Sequence, residues 1–228
     1  MKNICIIPAR GGSKRIPRKN VKPFLGKPII AYSIEAALDS GLFDEVMVST
    51  DDKEFADVAR KYGASVPFLR SEATANDYAT TVDVLLEVVE QYKLRGKIFE
   101  SICCLYSTAP FVTSDRLKEA YSKLSDKIDA CFTMVEYSYP IQRSLRINEE
   151  GQVEIKYPEY LKSRTQDLEK VYHDAGQFYF VKTDTLLNEK TVWCKRTAPL
   201  VLSELEVQDL DTLTDWKLAQ MKYELVHK

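Results

Sequence analysis

Residues 4–7 are four consecutive apolar positions, Ile4-Cys5-Ile6-Ile7, ended by Pro8. A run with no polar alternation predicts a strand buried on both faces. From Pro28 the pattern changes to helical spacing, with Ile29, Ile30, Ile34, Ala37 and Leu38 apolar and a stop at Gly41. Val46 and Val48 alternate in a second strand that ends at Ser49-Thr50-Asp51-Asp52, and a helix runs from there to Gly63. A short strand is expected at 65–68, a long helix through Val82, Leu85, Leu86 and Val89, and a buried strand at 101–106. Ser114-Asp115 is expected to cap the next helix, whose apolar face is Leu117, Ala120, Tyr121 and Leu124. Residues 129–135, 176–182 and 198–202 are strand-like, and Thr212 opens a final helix through Trp216, Leu218, Met221 and Leu225.

Strands alternating with helices predict an α/β class: a three-layer α/β/α arrangement with a mostly parallel, Rossmann-like sheet. The alternation breaks at 137–175, which is rich in Tyr, Pro, Arg and Gln without long periodicity. One domain, 1–228, with an inserted excursion at about 137–175 is the expected organisation. A chain of 228 residues buries roughly 70% of its unfolded surface without disulfide or metal staples. No window reaches ~18 consecutive apolar residues, so no membrane span is expected. The opening Met-Lys-Asn-Ile-Cys-Ile-Ile-Pro turns polar too soon for a signal peptide, which points to the cytoplasm. Cys5, Cys103, Cys104, Cys131 and Cys194 show no CxxC spacing and read as reduced core thiols.

The net charge of −2 argues against general nucleic-acid binding. Its distribution says more. Residues 1–27 hold eight Lys or Arg and no Asp or Glu, leaving the other 201 residues with a balance of −10. Because this basic segment also carries an apolar run, a glycine pair and three prolines, it predicts a folded phosphate site rather than a tail.

The chemistry concentrates in Pro8-Ala9-Arg10-Gly11-Gly12-Ser13-Lys14-Arg15-Ile16-Pro17-Arg18-Lys19-Asn20. Glycines directly after a strand let backbone N–H groups turn toward an anion, with Arg10, Lys14 and Lys19 supplying charge. The segment matches neither GxxxxGK[ST] nor GxGxxG, which argues against a P-loop kinase and a dinucleotide fold. A solvated basic loop is the bland alternative; its place at the end of the first strand, where open α/β sheets bind ligands, favours a site. Asp209 and Asp211, at i and i+2, share one face of an extended segment and suit one Mg²⁺, or else cap the last helix. Asp51 and Asp52 favour capping. His173 is one of two histidines, the other being His227 in the tail, and is either a general base or a loop residue.

The basic segment, followed by Lys22-Pro23-Phe24-Leu25-Gly26-Lys27-Pro28-Ile29-Ile30, resembles the cytidylyltransferases that activate nonulosonic acids, the CMP-sialate and CMP-Kdo synthetase family. Val48-Ser49-Thr50-Asp51-Asp52, Phe68-Leu69-Arg70-Ser71 and Val207-Gln208-Asp209-Leu210-Asp211 extend the likeness end to end. The branch using pseudaminic acid shares Tyr139-Pro140-Ile141-Gln142-Arg143, Ser163-Arg164-Thr165-Gln166-Asp167-Leu168-Glu169 and Tyr172-His173-Asp174-Ala175-Gly176-Gln177-Phe178-Tyr179. Where sialate enzymes carry Gln-Pro-Thr-Ser-Pro-Leu-Arg, this chain has Tyr106-Ser107-Thr108-Ala109-Pro110-Phe111-Val112; where they carry Arg-x-Asn-Gly, it has His173-Asp174-Ala175-Gly176.

The resemblance implies CMP transfer from CTP to a nine-carbon 2-keto sugar acid, with pseudaminic acid expected and sialic, legionaminic or Kdo-type acids the alternatives. It implies a nucleotide site of Ala9, Arg10, Gly11, Gly12, Ser13, Asn20, Arg70, Asp77 and Thr81, with Arg10, Lys14, Lys19 and Asp211 catalytic. It places the sugar near Tyr106, Gln142, Arg143, Arg164, His173 and Gln177, and Mg²⁺ on Asp209 and Asp211. Arg143 and Arg164 suit the sugar carboxylate, since a guanidinium binds it through two parallel hydrogen bonds. Tyr137, Tyr139, Tyr157 and Tyr160 suit a sugar pocket or an oligomer contact equally, and a homodimer through the excursion is implied. A non-catalytic nucleotide or polyanion sensor is the rival from another class.

Overall fold

A computed structural model describes residues 2–226; His227 lies outside the described residues. The elements in chain order are β1 (Asn3–Pro8), a small hairpin of β2 (Pro23–Phe24) and β3 (Lys27–Pro28), α1 (Ile29–Ser40), β4 (Glu45–Ser49), α2 (Lys53–Lys61), α3 (Glu72–Ala75), α4 (Thr81–Leu94) and β5 (Ser101–Leu105). Then follow α5 (Ser114–Ser122), β6 (Ala130–Glu136), a second hairpin of β7 (Leu145–Ile147) and β8 (Val153–Ile155), β9 (Tyr172–Lys182), α6 (Thr183–Glu189), β10 (Thr197–Leu202) and α7 (Leu213–Val226). The main sheet has six strands in the order β10-β6-β9-β5-β1-β4.

β1 explains why the sheet is covered on both sides. Ile4 and Ile6 pack with Leu85, Val88 and Tyr92 of α4, whereas Cys5 and Ile7 pack with Ile34 of α1 and Phe55 of α2. The period of two sends alternate side chains to opposite faces, and both faces are apolar. β9 repeats this, with Tyr179 and Val181 on the α4 side and Phe178 and Phe180 on the other. All five cysteines are buried and free, as expected of core thiols. Among the described residues no helix is long and apolar enough to cross a membrane.

β1 pairs in parallel with both β4 and β5, and β6 pairs in parallel with β10; within this six-stranded sheet β9 runs against its neighbours. The reversal follows from the excursion after β6. The chain leaves the sheet at Glu136 and returns beside it, where the Tyr137 amide donates to the Val171 carbonyl at 3.0 Å. A strand re-entering from the edge its predecessor left must run antiparallel to it. Three details differ from the sequence reading. β9 begins at Tyr172, so its first residues replace the end of the expected excursion. The strand expected at 65–68 is a single bridge from Ser65 to Met47. Thr113, not Ser114, caps α5, its hydroxyl accepting from the Arg116 amide.

A third apolar cluster lies outside the two sheet faces. Ile16, Phe24, Ile29, Tyr32, Phe111, Leu210 and Trp216 pack together, joining the basic loop, the first hairpin, α1 and α7. Phe24 sits at its centre, meeting Tyr32, Trp216 and Tyr223 edge-on with ring centroids 5.5–5.7 Å apart. Removing a buried aromatic ring costs about 3–5 kcal/mol through lost transfer energy and the cavity left behind. Phe24→Ala is expected to lower the unfolding free energy by that amount, read as a lower urea midpoint at an unchanged denaturant slope; a loss below about 1 kcal/mol would show that the cluster repacks freely.

Candidate active site

Strand order reverses around β1, because the chain passes from β1 to β4 on one side and later to β5 on the other. Open α/β sheets bind ligands at the carboxyl ends of strands at such a point. Here a cleft of about 1140 Å³ opens there. It exceeds the ~300–1,000 Å³ common for single-ligand sites, leaving room for two substrates. Its walls come from the loop after β1, the segment before α4, the end of β5, the start of β9 and the segment after β10.

The loop after β1 brings the expected cations together. Arg10 Nη1 donates to Asp77 Oδ1 at 2.6 Å, and Lys14 Nζ donates to Asp77 Oδ2 at 2.6 Å. The bonds from Lys14 and Arg10 hold the Asp77 carboxyl below the usual carboxylate range. Arg15 pairs with Asp211, and Lys19 Nζ donates to the Leu210 carbonyl at 2.7 Å. Burial lowers the Lys19 pKa, opposed by the charges of Asp211 and Asp209. Arg18 has a left-handed backbone (φ 54°); its guanidinium bonds Glu54 at 2.7 Å and lies 4.9 Å from the Phe55 ring centroid.

The glycine pair acts partly as expected. Gly11 donates its N–H to Asp51 Oδ1 at 2.9 Å, so this amide already serves a carboxylate. A Cβ at Gly11 would meet Asp52 Oδ2 at 3.1 Å, which explains glycine there; around Gly12 the space is open. Asp52 caps α2 by accepting from Glu54 N and Phe55 N. Ala9, Gly11 and Gly12 shape the loop without lining the cleft, while Ser13 lines it and donates its hydroxyl to the Ile16 carbonyl at 2.7 Å. Asn20, also in the wall, donates to the Arg10 carbonyl at 2.9 Å and accepts from the Ser107 hydroxyl at 2.9 Å.

Arg70, Asp77 and Thr81 form the facing wall. Arg70 is buried, which lowers its pKa, and its guanidinium donates to the Ser49 hydroxyl and carbonyl at 3.1 and 2.7 Å. Farther along, Thr81 Oγ1 lies 3.1 Å from the Tyr106 hydroxyl, and the Tyr106 and Tyr179 rings meet edge-on at 5.8 Å. The Tyr179 hydroxyl donates to Asp174. Burial raises the pKa of both phenols, keeping them neutral donors. His173 lines the same end, with Nδ1 2.9 Å from the Asp174 carbonyl and its ring 4.7 Å from that of Tyr137.

Asp209 and Asp211 both line the cleft. Capping of α7 falls instead to Thr212 and Asp215: Thr212 Oγ1 accepts from Asp215 N at 3.2 Å, and Asp215 Oδ2 accepts from Thr212 N at 2.7 Å. That leaves Asp209 and Asp211 free of the capping role. Two hard carboxylates beside a row of cations fit a Mg²⁺ ion, which takes one or two protein carboxylates and completes its shell with water and phosphate. Among the described residues no three acidic, His or Cys side chains cluster as a self-sufficient metal cage.

Four expected sugar residues lie outside the cleft. Gln142 and Arg143 line a separate 130 Å³ cavity with Leu145, Ile155 and three other residues of the excursion. Arg143 donates to the Leu161 and Ser163 carbonyls, and Arg164 forms a bidentate pair with Asp167 at 2.7 and 3.1 Å. Gln177 is buried, with its amide donating to the Glu206 carbonyl. Conversely, Arg15, Asp174, Tyr179 and Lys222 enter the cleft wall without having been singled out. Tyr179 sits in an apolar strand run and Lys222 on a polar helix face, so only the sheet edge and α7 docking reveal them.

The family model for cytidylyltransferases matches residues 4–220. The chain belongs to the cytidylyltransferase family. A pseudaminic acid cytidylyltransferase of Campylobacter jejuni subsp. jejuni serotype O:2 is 47% identical over 229 residues, covering 100% of this chain and 99% of the relative. A CMP-N,N'-diacetyllegionaminic acid synthase of Legionella pneumophila is 34% identical, covering 99% and 97%. A solved CMP:2-keto-3-deoxy-manno-octonic acid synthetase complexed with CTP superposes with a TM-score of 0.70 at 18% identity, covering 100% of this chain and 99% of that one. The likeness confirms the expected fold for this cytidylyltransferase.

Arg10 tests the basic loop. One charge-assisted hydrogen bond is worth about 1.5–3 kcal/mol, so Arg10→Ala is expected to lower kcat/KM for CTP about 10- to 100-fold. The KM for the sugar acid should stay near wild type; unchanged CTP kinetics would place the triphosphate elsewhere.

Proposed function

We propose that this cytidylyltransferase transfers CMP from CTP to pseudaminic acid, giving CMP-pseudaminic acid and pyrophosphate. The observation that carries the reading is one cleft lined by Arg10, Lys14 and Lys19 together with Asp209 and Asp211, in a chain 47% identical end to end to a relative named for that reaction. The anomeric hydroxyl oxygen forms a bond to the α-phosphorus of CTP while the bond from that phosphorus to the α,β-bridging oxygen breaks. The hydroxyl proton passes to solvent, and the electron pair leaves on pyrophosphate. Arg10, Lys14 and Lys19 hold the triphosphate and stabilise charge on the leaving group. Asp209 and Asp211 would hold Mg²⁺, which would supply neutralisation of phosphate charge, worth several kcal/mol of the barrier. Arg70 and Asn20 keep the nucleotide end rigid through their bonds to Ser49, Arg10 and Ser107.

Tyr106, Tyr179 and His173 form the sugar end, and Thr81, expected at the nucleotide, stands beside it through its contact with the Tyr106 hydroxyl. Tyr106 and Val112, a phenol and an aliphatic group, stand where the sialate pattern carries the more polar Gln and Arg. That suits a sugar acid with two acylamino groups and a terminal methyl. The exposed apolar hairpin, with Leu145, Ile147 and Val153 each more than 60% exposed, supports a homodimer formed through the excursion. Arg143 and Arg164 belong to that excursion, so contact with sugar would require it to approach a cleft. The five unpaired thiols suit a reducing cytoplasm. A pure polyanion sensor gives no role to two uncapped carboxylates facing the phosphate loop.

With CTP and Mg²⁺, pseudaminic acid should release pyrophosphate efficiently and N-acetylneuraminic acid little or none, since unpaired polar groups can discriminate by ~10⁴ or more. Comparable kcat/KM for both would withdraw the narrow specificity, and release with neither would withdraw the reaction. Asp211→Ala should retain the circular dichroism of the parent and lose about a thousandfold or more in turnover. Wild-type rates at limiting Mg²⁺ would remove the metal role.

A further inference from the structure

The residues between β10 and α7 carry both cleft aspartates, yet have little regular structure of their own. One 3-10 turn, Glu204–Glu206, is followed by four residues in no repeating conformation. Apart from the packing of Leu210 and the Ser203–Glu206 capping box, a segment of this kind depends on bonds made to it from outside. Besides the Arg15–Asp211 pair and the Ser138 hydroxyl on Glu204, four side chains from outside donate to it. Lys222 Nζ donates to the Glu204 and Val207 carbonyls at 3.0 and 2.9 Å. Lys19 holds the Leu210 carbonyl. Arg116 grips the Glu206 carboxylate through Nε and Nη2 at 2.8 and 3.1 Å. The Gln177 amide donates to the Glu206 carbonyl.

Gln177 differs from the first two because it does not line the cleft. It is 4% exposed and projects from β9, a strand fixed on both sides by β5 and β6. Its own carbonyl accepts from Tyr106 N at 2.9 Å, so its backbone is tied to the end of β5 as well. The Gln177 side chain therefore links a rigid part of the sheet to the segment bearing Asp209 and Asp211. Two carboxylates converging on one cation repel each other until the ion arrives, so their spacing has to be imposed by the surrounding chain. Groups that orient metal-binding side chains typically contribute 10- to 100-fold in metal affinity. Loss of the amide would leave a carbonyl without its donor and release the segment at its middle.

We propose that Gln177 is a positioning residue for the divalent-cation site, acting with Arg116 through Glu206, and is not a contact to the sugar. The inference rests on the reading that Asp209 and Asp211 hold the cation. Mn²⁺ binding to the protein–CTP mixture, followed by water-proton relaxation without sugar acid, reports the site independently of turnover. Gln177→Ala should weaken Mn²⁺ binding about tenfold or more, with CTP binding in EDTA and the KM for the sugar acid at saturating Mg²⁺ both unchanged. Arg116→Met, on the exposed side of the same link, should shift Mn²⁺ binding in the same direction and carries the test if Gln177→Ala fails to fold. A raised sugar KM with wild-type Mn²⁺ binding in Gln177→Ala would make Gln177 a sugar contact and overturn the proposal. Asp211→Asn separates the two levels. If it loses Mn²⁺ while both other variants keep it, the positioning role alone fails. If it keeps Mn²⁺, the metal reading fails and takes this inference with it.

Discussion

Like charge crowded onto one short loop is the constraint around which the site is arranged. Arg10, Lys14, Arg15, Arg18 and Lys19 fall within ten residues, and each has a separate partner or shares one. Asp77 takes Arg10 and Lys14, Asp211 takes Arg15, Glu54 takes Arg18, and the Leu210 carbonyl takes Lys19. These partners come from the segment before α4, the first turn of α2 and the segment before α7. Arg10, Lys14, Arg15 and Lys19 therefore fan outward toward different walls of one cleft, while Arg18 turns to α2 outside it. Exposed ion pairs of this kind contribute about 0–1 kcal/mol each, so their effect is on direction more than on stability.

The reversed strand solves a second geometric problem. A wholly parallel sheet presents only strand ends and following loops at its ligand edge. Because β9 enters from that edge, it contributes a strand start there as well: His173 to Gly176 line the cleft, and Tyr179 follows behind them. The register shift against β6 between Phe132 and Met134 lies beside this point. A shift of this type re-aims side chains. It accompanies the placement of Asp174 within reach of the Tyr179 hydroxyl, five residues along the same strand.

The layered sheet was legible in the sequence because burial on both faces writes an unbroken apolar run at 4–7 and again at 102–105. The cations after β1 were legible as well, since charge density and strand position can both be read along the chain. Cap positions were partly legible. Asp52 behaves as a cap, whereas Thr113 displaces Ser114 by one place, a shift that composition cannot resolve when Thr, Ser and Asp are adjacent. The Thr212-x-x-Asp215 box was visible in principle and answers what Asp209 and Asp211 are not doing. Long-range pairings were not legible. Nothing in the spacing of Gln177 and Glu206, or of Tyr179 and Asp174, shows which partner a polar side chain takes once β9 reverses.

The basic loop and the aspartate-bearing segment are far apart in sequence, yet one apolar cluster lies beneath both. Ile16 from the first and Leu210 from the second are each about 1% exposed and pack with Phe24 and Trp216. Burying one such side chain is worth about 1.5–3 kcal/mol, several times an exposed ion pair. The Arg15–Asp211 pair at the surface is then the minor partner in that contact, and the packing below sets how far apart the positive and negative arms stand. This ordering of energies has a chemical use. Weak surface pairs can exchange a carboxylate for a phosphate at small cost, while the buried cluster holds the backbone that carries them. The arms can thus trade charged partners during a reaction cycle without the loops losing their places.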